Sequence, residues 1–317
     1  MPRQSGGCGM AGGAHLDEVY PIMSYRPIRG EGVWLEDADG RRVLDLYTGH
    51  AVAALGYGHP RLVDAIAKQA SAMVFQSNAA KLDVRDRAAT KLVEFAGSGL
   101  TRVLFVNSGA EANENALRLA FRATGRKRVV AIEGGFHGRT AAAAAVSYGS
   151  AGRWYGFPSL PFDVSFVPRD DIAALEQAID SDTAAVIAEP VQGLAGAYDL
   201  STAFLQAARK ATRAAGALLI MDEVQTGMGR LGAPFGAVLH GIEPDILTTA
   251  KGLGGGIPAG AVLMRPEIAE GLKSGDLGTT FGGGPVASAA MEAVLDTIHD
   301  ESLIDNVLNH SQLIRER

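Results

Sequence analysis

From Thr101 onward, short apolar runs alternate with stretches that repeat apolar residues at helical spacing, and this alternation restricts the fold more than any other feature of the chain. The candidate strands are Arg102–Val106, Arg128–Ile132, Val164–Val167, Ala184–Ala188, Ala217–Met221, Asp245–Thr249 and Gly260–Met264. Helical spacing with plausible starts marks Glu111–Ala123, Asp170–Ile179 and Thr202–Ala215. Strands joined through helices line up side by side, so the pattern predicts an α/β fold: a mostly parallel, seven-stranded sheet flanked by helices. Upstream, Gly32–Leu46 reads as a small meander, with Asp39-Gly40 turning between GVWLED and RRVLDL. Downstream, Pro285–Ile298 and Ser302–Ile314 read as helices. The chain ends therefore predict a smaller α+β domain beside the large one. The expected division is a flexible tail at 1–18, the first part of the small domain at 19–48, the large domain at 49–264 and the rest of the small domain at 265–317. The final HSQLIRER stops inside a helical pattern with no stop signal, which predicts an incomplete small domain.

Composition excludes several functions. With 317 residues and 47% hydrophobic content the chain can bury a large core, so a disordered or fibrous protein is excluded. A net charge of −6, from 29 basic and 35 acidic residues, provides no field for nucleic-acid backbones. The longest apolar runs, such as Ala141–Val146 and Ala217–Met221, fall far short of the ~20 residues that span a bilayer. Met1–Gly13 has no apolar core of a secretory signal, and the expected location is cytoplasmic. The single cysteine, Cys8, lies in SGGCGMAGG and reads as an incidental thiol. Glycine is in excess, with 40 residues, many beside polar ones, as in loops where backbone comes close to a ligand.

In open parallel sheets ligands bind beyond the carboxyl ends of the strands, so the residues just past each strand carry the chemistry. Arg102–Val106 leads into Asn107-Ser108-Gly109-Ala110-Glu111, a polar turn opening a helix, which is either a phosphate cradle or an ordinary helix cap. After Arg128–Ile132, the run from Glu133 to Thr140 places Phe136, His137 and Arg139 together, although Phe136 as core and His137 as a structural histidine stay open. Two further strands run into acids: Glu189 opens EPVQG, and Asp222-Glu223 opens DEVQTG. A carboxylate just past a buried strand is costly unless it faces a ligand, a cation or a helix end. No histidine pair lies near these acids at ligand spacing, so no metal is expected. Asp245–Thr249 leads to Ala250-Lys251-Gly252 and further glycines; six of the seven lysines sit in polar or helical surroundings, and Lys251 is the exception. A desolvated amine forms Schiff bases with aldehydes; its plainer alternative is a lysine snorkelling at a surface loop. A phosphate cradle, a stacking aromatic, an acid for a ring nitrogen and an imine-forming lysine on one sheet edge are what pyridoxal 5'-phosphate (PLP) requires.

The runs NSGAEANENALRLA (107–120), GGFHGRT (134–140), EPVQG (189–193), DEVQTGMGR (222–230), AKG (250–252) and GTTFGG (278–283) closely resemble those of class III PLP aminotransferases, and DLYTGHAVAALGYGHP (45–60) is most similar to the acetylornithine/succinylornithine branch. The resemblance runs from about Val19 to the end. It implies the fold-type I PLP-dependent transferase architecture, with 49–264 as the PLP-binding domain, and a homodimer with shared active sites. It implies Lys251 as the imine-forming lysine and Asp222 as the partner of the ring nitrogen. Gln225 would contact the ring hydroxyl, with Glu223 and Val224 beside it in the cofactor site. Ser108, Gly109 and Ala110 would hold the phosphate, Phe136 would stack on the ring, and Thr280 would reach the neighbouring subunit's phosphate. Arg139 would grip the substrate α-carboxylate as a bidentate donor, with Thr279 and Glu189 also at the substrate. Where family members continue EPVQG with an acid, this chain has Leu194. The implied reaction moves the terminal amino group of N-acetylornithine, or a similar N-acylornithine, to 2-oxoglutarate in arginine biosynthesis. Alternatives on the same scaffold are ornithine, 4-aminobutyrate or carrier-bound aminoadipate-semialdehyde aminotransferases, a glutamate-semialdehyde-type aminomutase and a truncated non-catalytic relative.

Overall fold

The computed structural model describes His15 and residues 19–149 and 157–317. The tail at 1–18, His15 apart, and Cys8 lie outside the described residues. The chain opens with a three-stranded antiparallel meander, β1 (Pro27–Glu31), β2 (Trp34–Asp37) and β3 (Arg42–Leu44). The Asp39-Gly40 turn sits between β2 and β3, with Gly40 at φ +77° and the Asp37 carboxylate accepting from the N–H groups of Asp39 and Arg41. The expected meander began at Gly32; β1 starts earlier, because Pro27–Glu31 adds itself to the edge of β2.

A four-residue turn, α1 (Thr48–Ala51), has φ between +53° and +68° throughout. Two helices come next that the sequence did not single out, α2 (Pro60–Ala72) and α3 (Asp83–Ala96). The α/β region then runs β4 (Arg102–Val106), α4 (Gly109–Thr124), β5 (Arg128–Ile132), α5 (Ala141–Ala145), β6 (Asp163–Val167), α6 (Ile172–Ala178) and β7 (Thr183–Ala188). It continues through the small hairpin β8 (Val191–Gln192) and β9 (Tyr198–Asp199), α7 (Thr202–Ala215), β10 (Leu218–Asp222), α8 (Gly236–Leu239), β11 (Ile246–Thr249) and β12 (Gly260–Met264). After the short α9 (Pro266–Ala269) come α10 (Pro285–Asp300) and α11 (Leu303–Glu316).

The central sheet has seven strands in the order β4-β12-β11-β10-β7-β5-β6. All neighbours are parallel except those of β12, which runs antiparallel to both β11 and β4. The mostly parallel, seven-stranded α/β expectation is borne out. Strand side chains alternate between faces, and the core divides accordingly. Ile220, Ile246, Ala185, Ile187, Val129 and Ala131 face α4, while Leu219, Met221, Leu247, Val186, Val130 and Ile132 share the other face with α7 and α10. Beyond the expected boundary at 264, α10 is buried through Ala290, Met291, Val294 and Ile298 in that second core, together with Leu62 of α2 and Leu92 of α3. Residues 285–300 therefore pack with the sheet rather than with the meander.

Candidate active site

The segments directly beyond β4, β5, β7, β10 and β11 converge with residues 256–259 ahead of β12 around a cavity of about 600 Å³. This is the carboxyl edge of the parallel strands, where ligands of open α/β sheets bind. A larger surface hollow of about 810 Å³ lies beside α3 and β4, but its ionisable residues Glu94, Arg102 and Lys273 are all exposed. Chemistry is concentrated in the smaller cavity, which Ser108, Gly109, Ala110, Phe136, Arg139, Glu189, Asp222, Val224, Gln225 and Lys251 all line.

Asp222 ends β10 with its carboxylate buried. Oδ2 accepts from Asn113 Nδ2 at 2.7 Å and pairs with His137 Nδ1 at 2.7 Å, while Oδ1 accepts from the Val224 N–H at 3.0 Å. These bonds supply what a buried carboxylate needs in place of water. Burial disfavours a charged His137 ring, yet its hydrogen bond to Asp222 and the charges of Asp222 and Glu189 outweigh that, so its pKa is raised. His137 is thus a member of the Asp222 cluster and not only core filling.

Lys251 stands at φ +41° as the first residue of a 3-10 turn, Lys251–Gly254, directly beyond β11. Burial pushes its amine below the ordinary lysine value, while Asp222 and Glu189 pull the other way. Burial also lifts the Glu189 carboxyl to about 7, against the His137 charge; Glu189 Oε1 accepts from the Phe136 N–H at 2.8 Å. The N-terminus of the 16-residue α4 faces the same cavity, capped by Ser108 Oγ accepting from the Glu111 N–H at 3.2 Å. The cap reading of this turn is borne out, and the capping hydroxyl leaves other first-turn N–H groups of α4 without intrahelical partners at the cavity. Gly109 is required by contact, because a Cβ there would lie 2.6 Å from Val224 Cγ1. At Gly193 an added Cβ would fall 1.9 Å from Gln225 Oε1, so the amide at the end of that side chain would have to move. That Oε1 is buried without a hydrogen-bond partner.

Arg139 spreads its guanidinium 5.2 Å from the Phe136 ring centroid and 5.6 Å from that of Tyr20, and it donates to the Tyr20 hydroxyl at 3.1 Å. His50, from the left-handed turn α1, also lines the cavity; burial first, then Lys251 and Arg139, lower its pKa.

Three expected site residues do not line this cavity, one of them, Thr280, being expected at a neighbouring subunit's phosphate. The Glu223 side chain is turned away from the cavity: its carboxylate accepts from Thr226 Oγ1 and from the N–H groups of Gly236 and Ala237, capping α8. That use of a buried acid is a structural one, and burial raises its pKa. Thr279 Oγ1 is occupied by Asn107 Nδ2 and the Gly282 N–H, and Thr280 is exposed beside it. Leu194 is exposed on the β8–β9 hairpin. Sequence reasoning missed Asn113, His50 and Tyr20. Asn113 had a signal: a polar residue one place after Ala112 on the stripe that continues through Ala116, Leu117 and Ala120 into the core.

The family described as aminotransferase class-III matches residues 17–317. The chain belongs to that family. Among class-III relatives, the acetylornithine aminotransferase of Streptomyces coelicolor is 48% identical over 91% of this chain and 71% of its own length. That of Methanopyrus kandleri is 44% identical over 87% of this chain and 71% of its own. A solved ornithine aminotransferase from Toxoplasma gondii, with PLP at partial occupancy in its active site, superposes with a TM-score of 0.85 at 32% identity, covering 94% of this chain and 73% of its own. The architecture is therefore that of the PLP-dependent transaminases.

Proposed function

We propose that this class-III aminotransferase uses PLP to move the terminal amino group of an N-acylornithine, N-acetylornithine foremost, to 2-oxoglutarate in arginine biosynthesis. The observation that carries the reading is the meeting of a desolvated Lys251 and a buried Asp222, held by hydrogen bonds on both oxygens, in one cavity at the N-terminus of α4. The names of the relatives support the substrate. The residues fit the cofactor: helix N–H groups and Ser108 for a phosphate, Asp222 for a ring nitrogen, the unpartnered Gln225 Oε1 for a ring hydroxyl, and Phe136 and Val224 as apolar walls. When bound, PLP supplies an aldehyde and an electron sink.

The chain's own groups then have distinct work. Lys251, its amine favoured in the neutral form by burial, is poised to take a proton from the amine-bearing carbon of the donor through Nζ. Asp222 would hold the ring nitrogen, and its protein donors keep the carboxylate from turning away. Arg139, pinned on Tyr20 and Phe136, offers a planar fork to the substrate carboxylate far from the reacting amine. Glu189 and Thr279 are assigned to the substrate, and Thr280 to the phosphate of a neighbouring subunit, as part of the same proposal. The protein acts as a homodimer in the cytoplasm; no helix among the described residues is long and apolar enough to cross a membrane.

Side-by-side kinetics test the reading. An acylated α-nitrogen is neutral, whereas free ornithine brings a second positive charge near Arg139 and Lys251. N-acetylornithine should therefore exceed ornithine in kcat/KM by at least about tenfold. Equal or better turnover of free ornithine would overturn the assignment.

A further inference from the structure

Thr248, buried in β11, lies outside the cavity, yet two hydrogen bonds connect it to Asp222. Asp222 and Thr248 are register partners on the parallel strands β10 and β11. By strand alternation they share the face of Ile220 and Ile246, which α4 covers. Helix α4 lays Asn113 between them. Thr248 Oγ1 donates to Asn113 Oδ1 at 2.7 Å; Asn113 Nδ2 donates to Asp222 Oδ2 at 2.7 Å and to the His137 carbonyl at 2.8 Å. The relative exposures of Asn113, Thr248, Asp222 and His137 are 1%, 0%, 3% and 2%, so water cannot replace any of these partners.

Building on the PLP reading of the site, we infer that Thr248 and Asn113 are positioning residues that fix the Asp222 carboxylate for the cofactor's ring nitrogen. The amide of Asn113 can be placed only one way round. Its NH₂ group meets two acceptors, a carboxylate oxygen and a carbonyl, and a flipped amide would set its own oxygen against both. The Thr248 hydroxyl enforces that orientation, because it donates to the amide oxygen and would have to break that bond if the amide turned. The consequence falls on the two oxygens of Asp222. Oδ2 is taken by Asn113 and His137, while Oδ1 accepts from the Val224 N–H and keeps a lone pair. The network loads one oxygen with protein donors and leaves the other for the cavity. It also ties the His137 backbone, hence the loop bearing Phe136 and Arg139, to the same amide.

The test uses the full chain loaded with PLP. Thr248→Val keeps the side chain's shape and removes its hydroxyl. Its expected signature is a shift of about one pH unit in the midpoint of the bound cofactor's visible absorption band. A fall of about tenfold in kcat, with KM for the amino donor within about twofold, should accompany it, since Thr248 touches no substrate. Glu189, Lys251, His137 and His50 also titrate around this site and are unchanged in the variant, so a shift reports the Asp222 arrangement. Thr248→Ser, which retains the donor, should recover most of both effects; a residue that only fills space would give the reverse order. Should Thr248→Val not fold, Thr248→Ala, which also removes the hydroxyl donor to Asn113 Oδ1, is read in the same way. A folded Thr248→Val protein with wild-type band midpoint and kcat would overturn the inference while leaving the cofactor reading intact. A wild-type chain that forms no visible band with PLP would overturn both.

Discussion

Glu189 and His137 sit beside Asp222 with pKa values moved the same way by different causes, and that gives the apoprotein a defined pH response. Burial holds Glu189 at about 7, above the 4.5 of an unfolded glutamate, so the native state binds the extra proton between these values and stability falls as pH rises through them. His137, raised by its bond to Asp222, also contributes stability that is present below its unfolded value and lost above its folded one. Glu189→Gln keeps an acceptor for the Phe136 N–H and removes the titration. It should raise Tm by about 5 °C at pH 8 and by only about 1 °C at pH 5, measured by thermal melts of the PLP-free chain. A Tm gain independent of pH would contradict the buried-carboxyl account. Asp222→Asn should reduce kcat by about a hundredfold or more while PLP stays bound, because the α4 cradle is untouched. Lys251 stood out in the sequence because it alone among the lysines came directly after an apolar strand. Asn113 and Thr248 did not, because a lone polar residue on a helix stripe or in ILTT acquires meaning only when two distant segments meet.

Elements with a buried apolar run were legible almost to the residue. β4, β5, β12 and α7 have the expected bounds, and β7 and β10 differ by one residue, since strands buried on both faces must be continuously apolar. α2 and α3 were not singled out: α2 buries only Leu62, and the α3 stripe is Ala88, Leu92 and Ala96, two of them alanines. The reversed sense of β12 was also hidden, because it is set by the tight turn at 251–259 rather than by a crossover helix. The helix that carries the site can be probed through its first residue. Gly109→Ala suits helix propensity but thrusts a Cβ against Val224 Cγ1. PLP retention in dialysis should weaken about tenfold, and adding Val224→Ala should restore most of it, a coupling expected only for residues in contact. Gly193→Ala should act on Gln225 in the same manner, through the ring-hydroxyl contact proposed for Oε1.

At the scale of the whole molecule, many large apolar side chains among the described residues stand in water. Tyr20, Ile22, Met23, Ile28, Trp34, Leu46 and Tyr47 are exposed along the meander and the segments flanking it, and exposed Phe75 and Phe281 pack on each other at 5.2 Å. Patches of this kind mark interfaces. Phe281 adjoins Thr280, the residue proposed to reach a neighbour's phosphate, and Tyr20 carries the Arg139 fork. Burying this surface in a symmetric pair would therefore close the rim of each cavity as well as stabilise the fold, so that assembly and cofactor retention rise together. Sedimentation should give about twice the 33.0 kDa of one chain. Phe281→Glu places a charge in the proposed contact, where it would have to be buried without a partner, and should yield monomers that lose PLP on dialysis although their melts remain cooperative. A wild-type monomer with full transaminase activity would show instead that each cavity is complete within one chain, and that the exposed apolar face serves another partner.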